Sequence, residues 1–415
     1  MKRDEAGAVK DRDKQQAERK DKLDSMDSFS CRPVTCFEKL DLLGEGTYGT
    51  VHRARDKLTN EIVALKQIHM EKEKSGFPLT SIREIKLLKS LSHPNIVALK
   101  EIVVGRKADN IFLVFEYCEH DFAGLLDRMT RPFLESEVKT IMMQMLSAVA
   151  HLHDNFIVHR DLKLSNLLMN NKGVLKLADF GLARLFSNPL KSYTPKVVTL
   201  WLAVLSFDCL TRYRAPEVLL GSQKYHTAID IWWALGCIFG ELLKHEPLMQ
   251  GKSELHQLEL IYKLLGTPNE KIWPGFSRLN KHSSLAEQTA IFQQHQYNNI
   301  NALFPALSEN GVNLLTRMLT YDPSKRITAQ KALSHPYFTE PPFPTTAEMM
   351  PTFPSQSSRK GPVGKRTLNP QYGNAPANRP SGLSVLDDRK VNDLFNYTPT
   401  SSSAASDASR KRMKI

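Results

Sequence analysis

The segment "HRDLKLSN", His159–Asn166, constrains this chain more than any other, because one loop carries an acid, two kinds of cation and a metal-binding amide. It follows "ESEVKTIMMQMLSAVAHLHD", where Val138, Ile141, Met142, Met145, Val149 and Leu152 recur at helical spacing. A core helix therefore delivers the loop, and its methionines read as core filling rather than a binding surface. Within the loop, Asp161 can accept a hydroxyl proton, Lys163 can neutralise a transferred phosphoryl group, and Asn166 can hold Mg²⁺ through its amide oxygen. "DFG", Asp179–Gly181, then supplies a second hard oxygen ligand in Asp179, as Mg²⁺ prefers. Chance would rarely set these residue types in this order.

The chain ahead of that helix has a different texture. "FEKLDLLGEG", "TVHRARD", "EIVALKQI", "IVALKEIVVG" and "NIFLVFEYC" are compact or alternating apolar runs, which predict a small antiparallel sheet. "LTSIREIKLLKSL" is its one long helix. Between the first two strands, Gly44, Gly46 and Gly49 of "GEGTYGTV" fit G-x-G-x-x-G, which lets a hairpin lie close over phosphates with its N–H groups free. Alone this is a weak signal, since glycines also make ordinary turns, and no helix follows directly as a dinucleotide fold requires. "VALK" places Lys66 on the third strand, and Glu84 of "IREIKLL" is the carboxylate that can orient it. Taken singly, a surface lysine and a solvated helical glutamate explain those two equally well.

Beyond Cys118 the pattern is helical to about Phe338, through "SELHQLELIYKLLG" and "NGVNLLTRMLT". The expected organisation is an α+β domain at 37–338, with a mostly β lobe at 37–118 and a mostly α lobe at 119–338. Residues 1–36 read as a flexible mixed-charge leader, and 339–415 as a disordered Pro- and Ser-rich tail. Lys and Arg number 56 against 44 Asp and Glu, a net charge of +12, but the excess is spread along the chain. That disfavours nucleic acid binding as the main function. No apolar run approaches the roughly 20 residues that cross a bilayer, so no membrane role is expected. The five cysteines make neither a disulfide framework nor a metal spacing, which favours a reducing intracellular compartment.

Together the glycine loop, Lys66 with Glu84, "HRDLKLSN" and "DFG" resemble the eukaryotic protein kinase family over roughly residues 37–338. The resemblance implies a two-lobed fold with ATP and Mg²⁺ between the lobes. Gly44, Glu45, Gly46, Thr47, Tyr48, Gly49 and Thr50 would cover the phosphates, and Leu43, Val51, Ala64 and Leu168 would enclose adenine. Phe115 would close the back of the pocket, Glu116 and Cys118 would offer hinge backbone, and Asp121 would lie near the ribose. Catalysis would fall to Asp161, Lys163, Lys66 and Glu84, and metal binding to Asn166 and Asp179.

Within that family, "GEGTYG", "PLTSIRE", "TPKVVTLW" and "LLGTPNEKIWPG" look like the cyclin-dependent kinase group, and "RPVTCFEKL", "NLLM" and "MPTFP" are most similar to its PISSLRE type. The likeness implies proline-directed transfer to Ser or Thr of protein substrates, and a cyclin, with a cyclin M as candidate, packed on "PLTSIRE" so that Glu84 swings onto Lys66. It also implies an activating kinase acting on Thr194, with Arg83, Arg160 and Arg184 gathering the phosphate. Thr47 and Tyr48 would be phosphosites that repel ATP, and the basic end "SRKRMKI" would favour the nucleus as well as the cytoplasm.

Two departures stand against this pattern. In the group "VVTLW" runs directly into "YRAPE", whereas here eleven mostly apolar residues, Leu202–Arg212, intervene. Looping them out costs little entropy, roughly 0.6 kcal/mol per doubling of loop length. Displacing Glu217 from its expected partner Arg326 would cost far more. A retained 3′ intron end is the preferred origin, and a cyclin-binding scaffold disabled by the insert is the rival to an active enzyme. Second, "DIWWALGC" holds one residue too many between Asp230 and Gly236. One residue turns a helix by about 100°, so either a π-bulge or a sequence error is expected.

Overall fold

The computed structural model describes residues 31–46, 49–68, 78–106, 110–186, 212–222, 226–282 and 294–353. All lie in the first of two compact units, Met1–Gly361. Strands β1 (Phe37–Gly46), β2 (Gly49–Asp56), β3 (Ile62–Ile68), β4 (Leu99–Val104) and β5 (Ile111–Glu116) form one antiparallel sheet in the order β1-β2-β3-β5-β4. Helix α1, Leu79–Ser90, follows β3 as the sequence predicts. β4 begins three residues later than its apolar run, because Ile96 leaves the sheet to bridge Leu177 in the second lobe.

Alternation divides the sheet into two faces. Val63, Leu65, Ala54, Val103, Phe112 and Val114 bury one side, and Val34 and Cys36 cover it. This corrects the leader's expected end at residue 36. Arg32 bonds Glu101 and, at 2.7 Å, Asp56, while its carbonyl accepts from the N–H of Val104. Residues 31–36 are thus a strap fixed to the sheet rather than free chain.

The second lobe contains α2 (Phe122–Arg128), α3 (Glu135–Asp154), α4 (Pro216–Leu219), α5 (Ala228–Asp230), α6 (Cys237–Lys244), α7 (Glu254–Leu265), α8 (Phe276–His282), α9 (Ile300–Leu303), α10 (Glu309–Met318) and α11 (Ala329–Leu333). All six residues of the α3 stripe are buried in the main core. The helical reading missed five short strands: β6 (His120–Asp121), β7 (Ile157–Val158), β8 (Leu167–Met169), β9 (Leu175–Leu177) and β10 (Arg184–Leu185). They pair as β6-β8-β9 and β10-β7, and they frame the loop that follows α3.

Between α5 and α6 the chain makes a π-helical turn, Ile231–Gly236. The extra residue is absorbed there. Asp230 stays fully buried beneath the loop, and Gly236 keeps a close approach to Leu319, whose side chain would lie 2.6 Å from an added Cβ.

The tail also departs from expectation over Thr339–Phe353. Glu340 accepts from Asn310 at 2.6 Å and from Ser308, its carbonyl accepts from the buried Lys139 at 3.0 Å, and Thr345 bonds Thr140. Met350 is buried, and Phe353 meets His120 and Phe133 edge-on. Among the described residues, no helix is long and apolar enough to cross a membrane.

Candidate active site

Lys66 reaches the cleft because β3 is a central strand whose alternation buries Val63 and Leu65 on one face and turns Ala64 and Lys66 to the other. Its Nζ donates to both carboxylate oxygens of Glu84, at 2.8 and 3.1 Å, and lies 3.8 Å from Asp179. Burial alone would lower the Lys66 ammonium, but Glu84 and Asp179 raise it above an ordinary lysine. Burial likewise pushes Glu84 up, and Lys66 offsets part of that shift. The lysine therefore remains a fixed positive charge.

The loop after α3 hangs from Asp230, which accepts from the N–H groups of His159 and Arg160 at 2.9 and 3.0 Å. His153, on the last turn of α3, lies 3.0 Å from the same carboxylate. Burial opposes the Asp230 charge, yet His153 and the Arg160 N–H hold its carboxyl below the usual range. The partnership of His153 and Asp230 escaped the sequence reading, since only the fold brings them together.

Asp161 is buried and accepts from Lys163 and Asn166, each at 3.0 Å. Burial raises its carboxyl above an ordinary aspartate, with Lys163 acting against that shift. The result is a more basic carboxylate in hydrogen-bond contact with a cation. Asp179 sits at a left-handed φ of 64° with its side chain 37% exposed. Burial works against its charge, but Lys66 and Lys163 keep its carboxyl low. Phe180 is fully buried, with its ring edge-on to His159 at 4.9 Å.

Strand register sets several of the expected nucleotide-site residues side by side. Val51 stands opposite both Gly44 and Lys66, Ala64 opposite Phe115, and Asp121 opposite Leu168. Gly49 has no substitute, since an added Cβ would lie 2.0 Å from the Gln67 carbonyl oxygen. Asp121 also caps α2 by accepting from Gly124 N–H at 2.6 Å. Glu116 uses its side chain to join Ala98 and Lys176, at 2.7 and 2.9 Å. The Cys118 thiol is pushed up to about 12 by burial and Glu116, so it is a poor nucleophile.

The sequence matches the protein kinase domain family over residues 37–338. The chain belongs to the protein kinase family. It is 54% identical to mouse cyclin-dependent kinase 10 over 330 residues, 80% of this chain and 87% of that protein. It is 49% identical to human cyclin-dependent kinase 11B over 377 residues, 90% of this chain but 44% of the relative, and 52% identical to rice cyclin-dependent kinase G-2, of which it spans 44%. The domain is thus a serine/threonine protein kinase of the cyclin-dependent type. Such a kinase uses ATP and usually Mg²⁺, and relatives of this group imply a cyclin partner and protein substrates.

The donor set suits Mg²⁺. The amide nitrogen of Asn166 is committed to Asp161, through its backbone carbonyl at 2.7 Å and its side chain, which leaves the amide oxygen as a metal ligand, and the half-open Asp179 carboxylate would be the other. Among the described residues no His, Cys, Asp or Glu cluster of three or more could cage a metal. Mg²⁺ needs none, because it takes one or two protein oxygens and completes its shell with phosphates and water.

Of the arginine cluster, burial and then the like charge of Arg160 hold the Arg83 guanidinium below its ordinary value. Arg184 pairs with Val158 in β10-β7, one residue before the catalytic loop. Thr47, Tyr48, Thr194 and Leu202–Thr211 of the insert lie outside the described residues. The insert's last residue and the flank after it are firmly held: the Arg212 carbonyl accepts from Gln257 at 2.9 Å, Tyr213 donates to Glu241 at 2.6 Å, and Arg214 pairs with Glu254. Glu217 meets Arg326 through two bonds of 2.7 and 3.0 Å, as the sequence predicts. The rival reading, a cyclin-binding scaffold disabled by the insert, gains no support, since Glu217 keeps its partner and the relatives are kinases.

Proposed function

We propose that this chain is a cyclin-activated, proline-directed serine/threonine kinase that works with its insert in place. The observation that carries the reading is the simultaneous engagement of Lys66 with Glu84 and of Asp161 with Lys163 and Asn166. In that arrangement Asp161 orients the target hydroxyl and takes its proton. Lys66 binds the α- and β-phosphates, and Glu84 fixes its direction. Lys163 neutralises charge on the γ-phosphoryl group as it moves. Asn166 and Asp179 would hold Mg²⁺, which screens the phosphate oxygens when bound.

Glu84 already faces Lys66 in the lone chain, where the sequence reading assigned that movement to a cyclin. The cyclin's work is then to favour an arrangement the chain can reach alone. Phosphorylated Thr194 would meet Arg83, Arg160 and Arg184, and an activating kinase would place that phosphate. Thr47 and Tyr48 are proposed inhibitory phosphosites, and the basic end Arg410–Lys414 supports residence in nucleus and cytoplasm.

The test is phosphate transfer to a Ser-Pro peptide by the full chain, alone and with each of a panel of purified cyclins, a cyclin M included. Activation by at least one cyclin, and preference for Ser-Pro over Ser-Ala, are expected. Activity confined to a variant lacking Leu202–Arg212 would sink the reading for this chain. RNA reads that join Trp201 to Tyr213 codons would mark the insert as a retained intron end.

A further inference from the structure

The strap Thr339–Phe353 is anchored at one end and placed against the small sheet β6-β8-β9 at the other. Its first part is held on α3 and α10: Glu340 accepts from Asn310, its carbonyl accepts from Lys139, and the Thr345 carbonyl accepts from Thr140. Its last part meets the sheet at two points. Ala347 and Met350 close over the β8–β9 turn, where a Cβ added at Gly173 would collide with the Ala347 carbonyl and lie 2.8 Å from the Met350 Cβ. Phe353 then sets its ring edge-on to His120 at 5.9 Å and to Phe133 at 6.5 Å.

Those ring contacts converge on the two neighbours of Asp121. His120 precedes it in β6, and the fully buried Phe122 follows it as the first residue of α2. Phe133 packs on Phe122 at 6.2 Å. Phe353 therefore touches the residue before Asp121 directly and the residue after it through one intervening ring. Asp121 is itself pinned to α2 by the Gly124 N–H, so the direction of its carboxylate follows that of β6 and α2. The same support reaches β8, because His120 pairs with Met169 and Asp121 with Leu168.

We propose that Phe353 is a positioning residue for the nucleotide: through His120 and Phe133 it holds β6 and α2 so that Asp121 meets the ribose hydroxyls. The proposal rests on the reading of Asp121 as the ribose contact. It extends that reading to a segment beyond residue 338, where the match to the kinase family ends.

The test is calorimetric titration of the full chain with Mg·ATP and with Mg·dideoxy-ATP, which lacks the ribose hydroxyls; neither cyclin nor phosphate transfer is needed. The wild-type chain should bind ATP about tenfold more tightly than the analogue. Phe353→Ser should weaken ATP binding about three- to tenfold and leave the analogue nearly unchanged, so the preference shrinks. Phe353→Tyr keeps the ring and should restore it. Asn310→Ala, which removes a bond at the other end of the strap, should lower the thermal midpoint without moving the preference. Equal weakening of both nucleotides by Phe353→Ser overturns the proposal, as does an unchanged preference. A preference lost equally in Asn310→Ala makes the effect general loosening and also overturns it. Asp121→Ser keeps a cap on α2 but is too short to reach the ribose. If it abolishes the preference while Phe353→Ser does not, this proposal alone falls. If the preference survives Asp121→Ser, the ribose reading of Asp121 falls and the proposal with it.

Discussion

Two glutamate ion pairs in this molecule use similar groups and are held in opposite ways. Glu217 and Arg326 are both buried, and Arg326 also donates to the carbonyls of Ala228, Thr320 and Tyr321. Glu84 meets Lys66 from a helix whose N-cap, Pro78, makes no side-chain bond and whose neighbouring Ile82 faces solvent. Lys66 retains Asp179 at 3.8 Å if Glu84 withdraws. Moving one helix breaks the second pair, whereas breaking the first disrupts the packed second lobe. An anchor and a switch therefore differ less in their ion pair than in how many other groups each partner holds.

The largest effect should come from the anchor. Arg326→Leu leaves Glu217 buried and unpaired, and the stability measured by urea unfolding should fall by about 3–5 kcal/mol. A loss under about 1 kcal/mol would erase the contrast with the switch. Glu84→Gln should instead lower kcat/KM about 100-fold, while the urea midpoint moves little because Lys66 keeps Asp179. Substantial unfolding by this variant would make α1 a second anchor.

The π-turn sharpens the same distinction within the second lobe. Deleting one residue from Ile231–Gly236 returns the turn to a regular helix, so stability should change by less than ~1 kcal/mol. Deleting Ile238 from α6 rotates the following buried residues by about 100° and should cost ~3 kcal/mol or more. Equal costs would show that the turn absorbs nothing. The smallest effect is on pH dependence. Activity requires Asp161 ionised, and burial raises its carboxyl above the ordinary value of 3.8. The acid limb of kcat/KM should therefore have its midpoint above that value, and activity should fall as pH drops through it. Lys163→Met, which removes the opposing charge, should move the limb higher.

The first lobe and the catalytic cleft were legible in the sequence because their signals are periodic or chemically dense. Val63 and Leu65 alternate with Ala64 and Lys66, and Asp161, Lys163 and Asn166 lie within one loop. The short strands were not, since β6, β7 and β10 are two residues each and have no period to detect. The two straps were hidden for another reason. Proline-rich, polar stretches around Arg32 and Glu340 read as loose chain, and their order comes from a few long-range bonds that composition does not encode. Asp230 holds the catalytic loop from below, and its partner His153 became visible only when α3 and α5 met.

The central claim is that the assembled cleft transfers phosphate in the chain as it stands, insert included. The most direct measurement is the rate of labelled phosphate transfer from γ-labelled ATP to a Ser-Pro peptide, comparing the full chain with Asp161→Asn in the presence of the activating cyclin. The account predicts measurable transfer by the full chain and a loss of about 100-fold or more in the variant. Equal rates in the two proteins, or transfer by neither, would contradict it.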